Sequence, residues 1–215
     1  MRITGGKAAR RILKAPRGLD VRPTADFVKQ AVFNSLGARV AGTRVLELFA
    51  GTGALSLECL SRGAASAVCV EKSPRHAEVL RQNFQLAGFP SESLQVRVQD
   101  VFAAIAQMAT AGQQFDLVLA DPPYGEKNIG RRSNSLAQQL LDDGGLPALL
   151  TAGGLLVLGH AKRDTLTVPG SWREEKLLKH GDSIMRFLGA GAGAQSPSFA
   201  RIEDRFRPGR NPPPG

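Results

Sequence analysis

The chain has 215 residues and carries 28 lysines and arginines against 19 aspartates and glutamates, a formal net charge of +9. That length suits one domain with short appendages. The positive balance points to an anionic partner, with nucleic acid the simplest and a merely solvated basic surface the alternative. No apolar run is long enough to span a bilayer, and the basic N-terminus lacks the apolar core of a signal peptide, so a soluble, cytoplasmic protein is expected. Cys59 and Cys69 lie in apolar runs, which predicts reduced core thiols. His76, His160 and His180 have no metal-ligand spacing, and no metal is expected.

Residues 1–23 form a basic segment in which Arg2, Lys7, Arg10, Arg11, Lys14, Arg17 and Arg22 face one acid, Asp20. Gly5-Gly6 and Pro16-Arg17-Gly18 mark turns, so short strands are expected near residues 2–4 and 10–14. Ile12 and Leu13 would anchor the segment while Arg10, Arg11, Lys14 and Arg22 reach RNA phosphates, although a charge run can equally be a solvated face. Thr24 fits the N-cap of a helix through Leu36, closed by Gly37. There Val28, Val32 and Leu36 repeat at helical spacing and Phe27 and Ala31 widen the stripe, so one face should pack on a sheet.

A regular alternation follows. Strands are expected near 44–49, 66–71, 94–99, 115–120 and 153–159, and helices near 53–62, 73–87, 101–110, 134–142 and 146–151. Ser73-Pro74 is a helix start and Gly88 a stop. This order predicts an α/β domain over residues 24–188, its parallel sheet covered by helices on both faces. Residues 172–179 and 183–188 have no long helix between them and read as a terminal antiparallel hairpin. From 189 to 215 the glycine, alanine, proline and arginine content predicts a flexible tail with an accessory role in nucleic-acid binding.

Two stretches carry chemistry. Val45 to Gly53 reads as a buried strand running into a glycine turn, followed by an amphipathic helical segment from Ala54 to Arg62. Ala50, Gly51, Thr52 and Gly53 form the expected cofactor-binding turn, since Gly51 and Gly53 lack the Cβ that would block a sharp bend or a close ligand. In a dinucleotide site such a turn holds a pyrophosphate, with a small residue at the sixth position, here Ser56. Glu47, at the mouth of the strand, would repel that group and suit a cofactor bearing an ammonium and a sulfonium, S-adenosylmethionine. Glu71 falls 20 residues after Gly51, where an acid accepts ribose hydroxyls. Lys72 either flanks the adenine or faces solvent. Asp100 is placed to accept from the adenine amino group, with Val101 offering an N–H and an apolar face; Asp100 also fits the N-cap of the next helix.

The second stretch is Asp121-Pro122-Pro123-Tyr124, at the end of an apolar strand. An exocyclic amino group on a base is a poor nucleophile because its lone pair is delocalised into the ring. Two acceptors aimed at its hydrogens, the Asp121 carboxylate and the Pro122 carbonyl, would favour a pyramidal nitrogen and stabilise developing positive charge. The prolines keep the loop rigid and Tyr124 can stack on the base.

With Glu47, Glu71 and Asp100, these stretches resemble the class I S-adenosylmethionine-dependent amino-methyltransferases. Met1-Arg2-Ile3-Thr4-Gly5-Gly6, Arg10-Arg11-Ile12-Leu13, Arg22-Pro23-Thr24 and Phe33-Asn34-Ser35-Leu36 narrow the resemblance. Together they are similar to the RsmD-type enzymes that methylate guanine N2 in 16S ribosomal RNA. Over residues 1–188 the resemblance implies a Rossmann-like fold with a seven-stranded mixed sheet. It also implies S-adenosylmethionine as cofactor, and a guanine of small-subunit ribosomal RNA, on a partly assembled particle, as target. It places Arg22 and Thr24 near the cofactor or target pocket. The tail after Gly189 lies outside the common pattern, and Lys127, Arg131 and Arg132 in the 125–132 loop are expected to grip RNA. Three rivals remain at this point: a DNA adenine or cytosine amino-methyltransferase, a nucleotide-binding dehydrogenase and a non-catalytic RNA-binding module.

Overall fold

The computed structural model describes residues 1–15, 26–124, 128 and 131–191. Strands β1 (Arg44–Leu48), β2 (Ser66–Glu71), β3 (Leu94–Val98), β4 (Phe115–Ala120) and β5 (Leu150–Ala161) run parallel. Strands β6 (Trp172–His180) and β7 (Ser183–Ala190) form the closing hairpin, with β7 antiparallel to both β5 and β6. The order across the sheet is β3-β2-β1-β4-β5-β7-β6. The strand sequence reverses direction between β1 and β4, and that switch leaves a crevice at their C-terminal ends.

Alternation along the strands sorts side chains to two faces. Val45, Leu117, Leu119, Leu155 and Val157 pack with helices α1 (Asp26–Leu36) and α2 (Ala54–Ser61) and with Phe84 and Ala87 of α3 (Pro74–Ala87). Leu46, Leu48, Val118, Ala120, Leu156 and Leu158 face the other way, onto α4 (Val101–Thr110) and α5 (Leu136–Asp142). The predicted caps are in place: Ser73 accepts from the His76 N–H at 3.3 Å, and Gly88 ends α3 in the left-handed region. Cys59 and Cys69 are both buried thiols without a disulfide.

The predicted helix at 146–151 is instead a 3₁₀ turn, Pro147–Leu149, and β5 begins at Leu150. A short apolar run does not by itself distinguish helix from strand. Here Leu150 pairs with Phe115 and Thr151 donates its hydroxyl to Asp116 at 2.9 Å, while a register shift between Phe115 and Leu117 carries the strand past Gly153 and Gly154. At the other end β7 continues to Ala190, paired with Trp172 and Arg173, so the sheet extends two residues past the expected boundary at 188. In α1, Phe27 is not part of the buried stripe: it is 60% exposed and meets the His180 ring edge-on at 6.0 Å. Lys29 and Phe33 are buried in its place.

The N-terminal segment makes a single antiparallel bridge, Arg2 to Ile12, rather than two short strands. It is also part of the main body, since Ile3, Ala8 and Leu13 are buried in the same cluster as α1 and α2. The segment covers the outer face of α2, which explains why all eight residues of that helix are buried rather than amphipathic. Buried polar groups hold it there. Glu58 of α2 accepts from the Thr4 N–H (2.7 Å), the Thr4 hydroxyl (2.8 Å) and Arg62 Nε (2.7 Å). Asn83 of α3 accepts from the Lys14 N–H at 2.7 Å and donates to the carbonyls of Lys14 and Thr52, both at 3.1 Å. The Lys29 ammonium donates to the Arg2 carbonyl and pairs with Asp26 at 3.3 Å. Arg22, the Thr24 cap and residues 192–215 lie outside the described residues. Among the described residues no helix is long and apolar enough to cross a membrane.

Removing the Glu58 carboxylate would strand the Thr4 N–H and a partly buried guanidinium. Glu58→Ala should cost about 3 kcal/mol of folding stability, read as a lower urea midpoint. A midpoint equal to that of the parent protein would show that the segment is not anchored there.

Candidate active site

The turn after β1 is built on left-handed backbone. Phe49, Gly51 and Gly53 have φ of 58°, 54° and 75°. At Gly53 a Cβ would lie 2.7 Å from Leu80 Cγ, so glycine also lets α3 pack against the turn. Phe49 adopts this conformation without glycine's freedom, at a cost of order 1 kcal/mol. Its side chain lines the cavity that the turn opens onto.

Glu47 does not line that cavity, which corrects its expected position at the mouth of the strand. Alternation places it on the α2 side of the sheet, where it is 3% exposed. Its carboxylate accepts from the N–H groups of Leu55 (3.3 Å) and Ser56 (2.9 Å), at the start of α2. Ser56 in turn lies 3.1 Å from the Cys69 sulfur through its hydroxyl. Burial pushes the Glu47 carboxyl up to about 7, against the lowering effect of the Ser56 and Leu55 donors. Ala50, Thr52 and Gly53 likewise shape the turn from behind. The Ala50 N–H donates to the Val70 carbonyl at 3.0 Å, and Thr52 is held through its carbonyl by Asn83.

The remaining predicted cofactor residues in the described chain meet in one cavity of about 760 Å³, lined by Gly51, Glu71, Lys72, Asp100 and Val101. Glu71, at the end of β2, ties the turn to α3: one oxygen accepts from the Gly51 N–H at 2.8 Å and the other from the Ser73 N–H at 2.7 Å. Asp100 caps α4 through the N–H groups of Phe102 (3.0 Å) and Ala103 (3.4 Å), and Lys72 reaches it at 3.5 Å. Burial alone would raise the Asp100 carboxyl, but the Ala103 and Phe102 donors and Lys72 hold it below its ordinary value. Carboxylates beside the apolar walls of Phe49, Val101 and Phe102 fit a cationic donor carrying a sugar and a planar base. Thr24, the last predicted cofactor residue, lies outside the described residues.

Asp121, Pro122, Pro123 and Tyr124 form the opposite wall of the same cavity. Asp121 stands against Gly159 of β5, where an added Cβ would overlap its Oδ1 and lie 3.0 Å from its Cγ. The Tyr124 hydroxyl lies 2.6 Å from Ser183 Oγ. Phe49, Ser73, His76, Phe102, Leu136 and Arg163 also line the cavity and were not among the predicted site residues. Phe49, Ser73 and Phe102 adjoin the predicted Ala50, Lys72 and Val101. Arg163 follows β5 and carried no local signal.

The predicted RNA contacts are spread over the outer surface. Arg10, Arg11 and Lys14 are exposed beside α3. Arg11 donates to the Leu86 carbonyl at 2.5 Å, in the last turn of α3, and Lys14 to Gln82 at 3.1 Å. Arg131 is exposed, Arg132 pairs with Asp142 at 2.6 Å, and Lys127 and Arg22 fall outside the described residues.

Residues 1–189 match the model of the family described as Conserved hypothetical protein 95. The chain belongs to this family. It is 31% identical over 172 residues to Ribosomal RNA small subunit methyltransferase D of Escherichia coli K12, covering 80% of this chain and 81% of that one. YlbH of Bacillus subtilis is 34% identical over 129 residues, 60% of this chain and 70% of its own. Among solved structures, the yhhF protein of Escherichia coli superposes with a TM-score of 0.71 at 30% identity, covering 89% and 98% of the two chains. The fold is the Rossmann-like class I methyltransferase fold with a C-terminal antiparallel hairpin, and the protein is an S-adenosylmethionine-dependent methyltransferase.

Because the folded pKa of Glu47 lies above its unfolded value near 4.5, the neutral carboxyl stabilises the fold below that value and the contribution is lost as pH rises through about 7. The loss is about 3 kcal/mol. Glu47→Gln keeps an acceptor for α2 and should flatten the fall in thermal midpoint between about pH 5 and pH 8; parallel curves for both proteins would contradict this. Gly159→Ala should displace Asp121 and lower kcat at least tenfold, on the scale of losses from misplaced catalytic groups (~10²-fold), while S-adenosylhomocysteine binding measured by calorimetry persists. Unchanged kcat would mean that Asp121 is not held by this contact.

Proposed function

We propose that this methyltransferase transfers a methyl group from S-adenosylmethionine to the exocyclic N2 amino group of a guanine in small-subunit ribosomal RNA. One observation carries the reading: the glycine turn with its acids and the Asp121-Pro-Pro-Tyr124 wall open onto the same cavity. Family membership and the small-subunit name of the Escherichia coli relative support ribosomal RNA as the substrate.

When bound, S-adenosylmethionine supplies an electrophilic methyl group on a cationic sulfur. Glu71 and Asp100 favour that positive charge, with Glu71 accepting from the ribose and Asp100 and Val101 flanking the adenine. The target guanine enters splayed from its strand, as chemistry on a base requires, and stacks on Tyr124. The Asp121 carboxylate and Pro122 carbonyl accept the two amino hydrogens and orient the nitrogen lone pair towards the methyl. They stabilise the positive charge that appears on nitrogen as the N–C bond forms and the S–C bond breaks. Asp121 or water then takes the extra proton, since a methylated cationic amine is acidic enough to need no strong base. None of these steps calls for a metal.

Arg10, Arg11, Lys14, Arg22, Lys127, Arg131 and Arg132 supply the phosphate contacts to the RNA. Substrate presented as a small subunit or assembly intermediate, in the cytoplasm, completes the assignment. In vitro transfer onto small-subunit RNA, free or in particles, followed by nucleoside analysis should yield N2-methylguanosine. Asp121→Ala should lower kcat by about 10²–10³-fold with donor binding retained. Methylation confined to another base, to DNA or to another RNA would replace the substrate assignment, and normal turnover by the variant would refute the role of Asp121.

A further inference from the structure

We propose that Ser183 positions Tyr124, which makes the start of β7 a support for the tyrosine wall of the target-base slot and not simply part of the closing hairpin. The inference rests on the reading of Tyr124 as the stacking surface for the target base. The hydroxyls of the two residues are 2.6 Å apart although the residues are 59 positions apart in the chain. Tyr124 belongs to no helix or strand; it follows two prolines at the end of β4. A tyrosine ring in such a segment can swing about its first side-chain bond, and a hydrogen bond at its far end restrains that swing. Ser183 is a suitable anchor because it opens β7, in register with Ala161 of β5 and His180 of β6.

The strand end that carries Ser183 is itself fixed to β5. Next to it, Ile184 pairs with His160 in the sheet ladder. Arg186 donates through Nε to His160 Nε2 at 3.1 Å, which leaves the proton of the neutral imidazole on Nδ1, facing the Ala161 carbonyl at 2.9 Å. Arg186 also pairs with Glu174 of β6. On the opposite side of the turn the Lys162 N–H donates to the Asp182 carbonyl at 2.7 Å. The anchor is therefore stiffer than the segment it holds. Asp121, the other end of the tetrapeptide, stands against Gly159 of the same β5 strand. The carboxylate that orients the amino group and the ring that supports the base are thus aligned against one rigid pair of strands, β5 and β7. A stacked base needs that common frame, since an error of about 1 Å between ring and carboxylate would misdirect the nitrogen.

The chain contains one tyrosine, so protein labelled with 13C at the tyrosine Cζ gives a single resonance that reports the phenol's hydrogen bond without any substrate. Ser183→Ala should move that resonance and Ser183→Thr, which keeps the hydroxyl, should restore it. On small-subunit RNA, kcat/KM should fall about 3- to 10-fold in Ser183→Ala and recover in Ser183→Thr, with S-adenosylhomocysteine affinity and thermal midpoint unchanged. Tyr124→Phe should show the same loss, and the double variant Ser183→Ala/Tyr124→Phe no more than either alone. A resonance and kcat/KM unaltered by Ser183→Ala, or losses that add in the double variant, would overturn the proposal. Should the parent protein fail to methylate RNA, the assignment of function falls, while the resonance still tests whether Ser183 holds the ring.

Discussion

Reversal of strand order between β1 and β4 is the constraint on which the rest depends. The connections leaving these two adjacent parallel strands depart in opposite directions, to β2 on one side and towards β5 on the other. Neither covers the strand ends, so a crevice opens above them. Whatever sequence follows β1 must face whatever follows β4. Here those sequences are a left-handed turn able to approach a ligand and a rigid Asp-Pro-Pro-Tyr wall, both lining one cavity.

Holding the turn in shape falls to buried polar groups. Such groups are tolerated only when their hydrogen bonds are made, and those behind this turn are made. Glu47 holds the start of α2, Glu71 the Gly51 N–H, and Asn83 the carbonyl of Thr52. Asn83 also holds Lys14, so the basic N-terminal segment and the cofactor turn share one side chain as their support. Arg10, Arg11 and Lys14 are consequently borne on a docked, partly buried segment instead of a loose arm, and their spacing relative to the turn is set by the core.

Much of this organisation was legible in the sequence, because it is local. Hydrophobic alternation, the Ser73-Pro74 start, the Gly88 stop and the two motifs each signal over a few residues, and the strands, most helices and the two walls of the cavity follow from them. What was not legible depends on distant partners. The exposure of Phe27 and the burial of Lys29 follow from how α1 meets the N-terminal segment and β6. The 3₁₀ turn at Pro147–Leu149 was hidden because four apolar residues suit either structure. Glu47 is the instructive case. It is one position from Leu46 and two from Val45, so alternation alone puts it on the Val45 face, under α2, and its charge is spent on the N-terminus of that helix and not on a ligand. Arg163 lines the cavity and Ser183 meets the Tyr124 hydroxyl from distant parts of the chain, with no local pattern to mark either.

The distribution of charge gives the site its direction. A chain with a net charge of +9 brings Glu71, Asp100 and Asp121 together in a cavity of about 760 Å³, where Lys72 and Arg163 offset part of their charge, while Arg10, Arg11 and Lys14 are exposed outside it. The exterior attracts an anionic nucleic acid over distances of about 10 Å, and the cavity favours a small cation. Methyl transfer turns the donor's charged sulfur into a neutral thioether. The acids of the cavity then lose the charge they favoured. On the proposed function, three carboxylates against Lys72 and Arg163 leave the cavity favouring the charged donor over its neutral product, while Arg10, Arg11 and Lys14, which would meet the RNA, lie outside it.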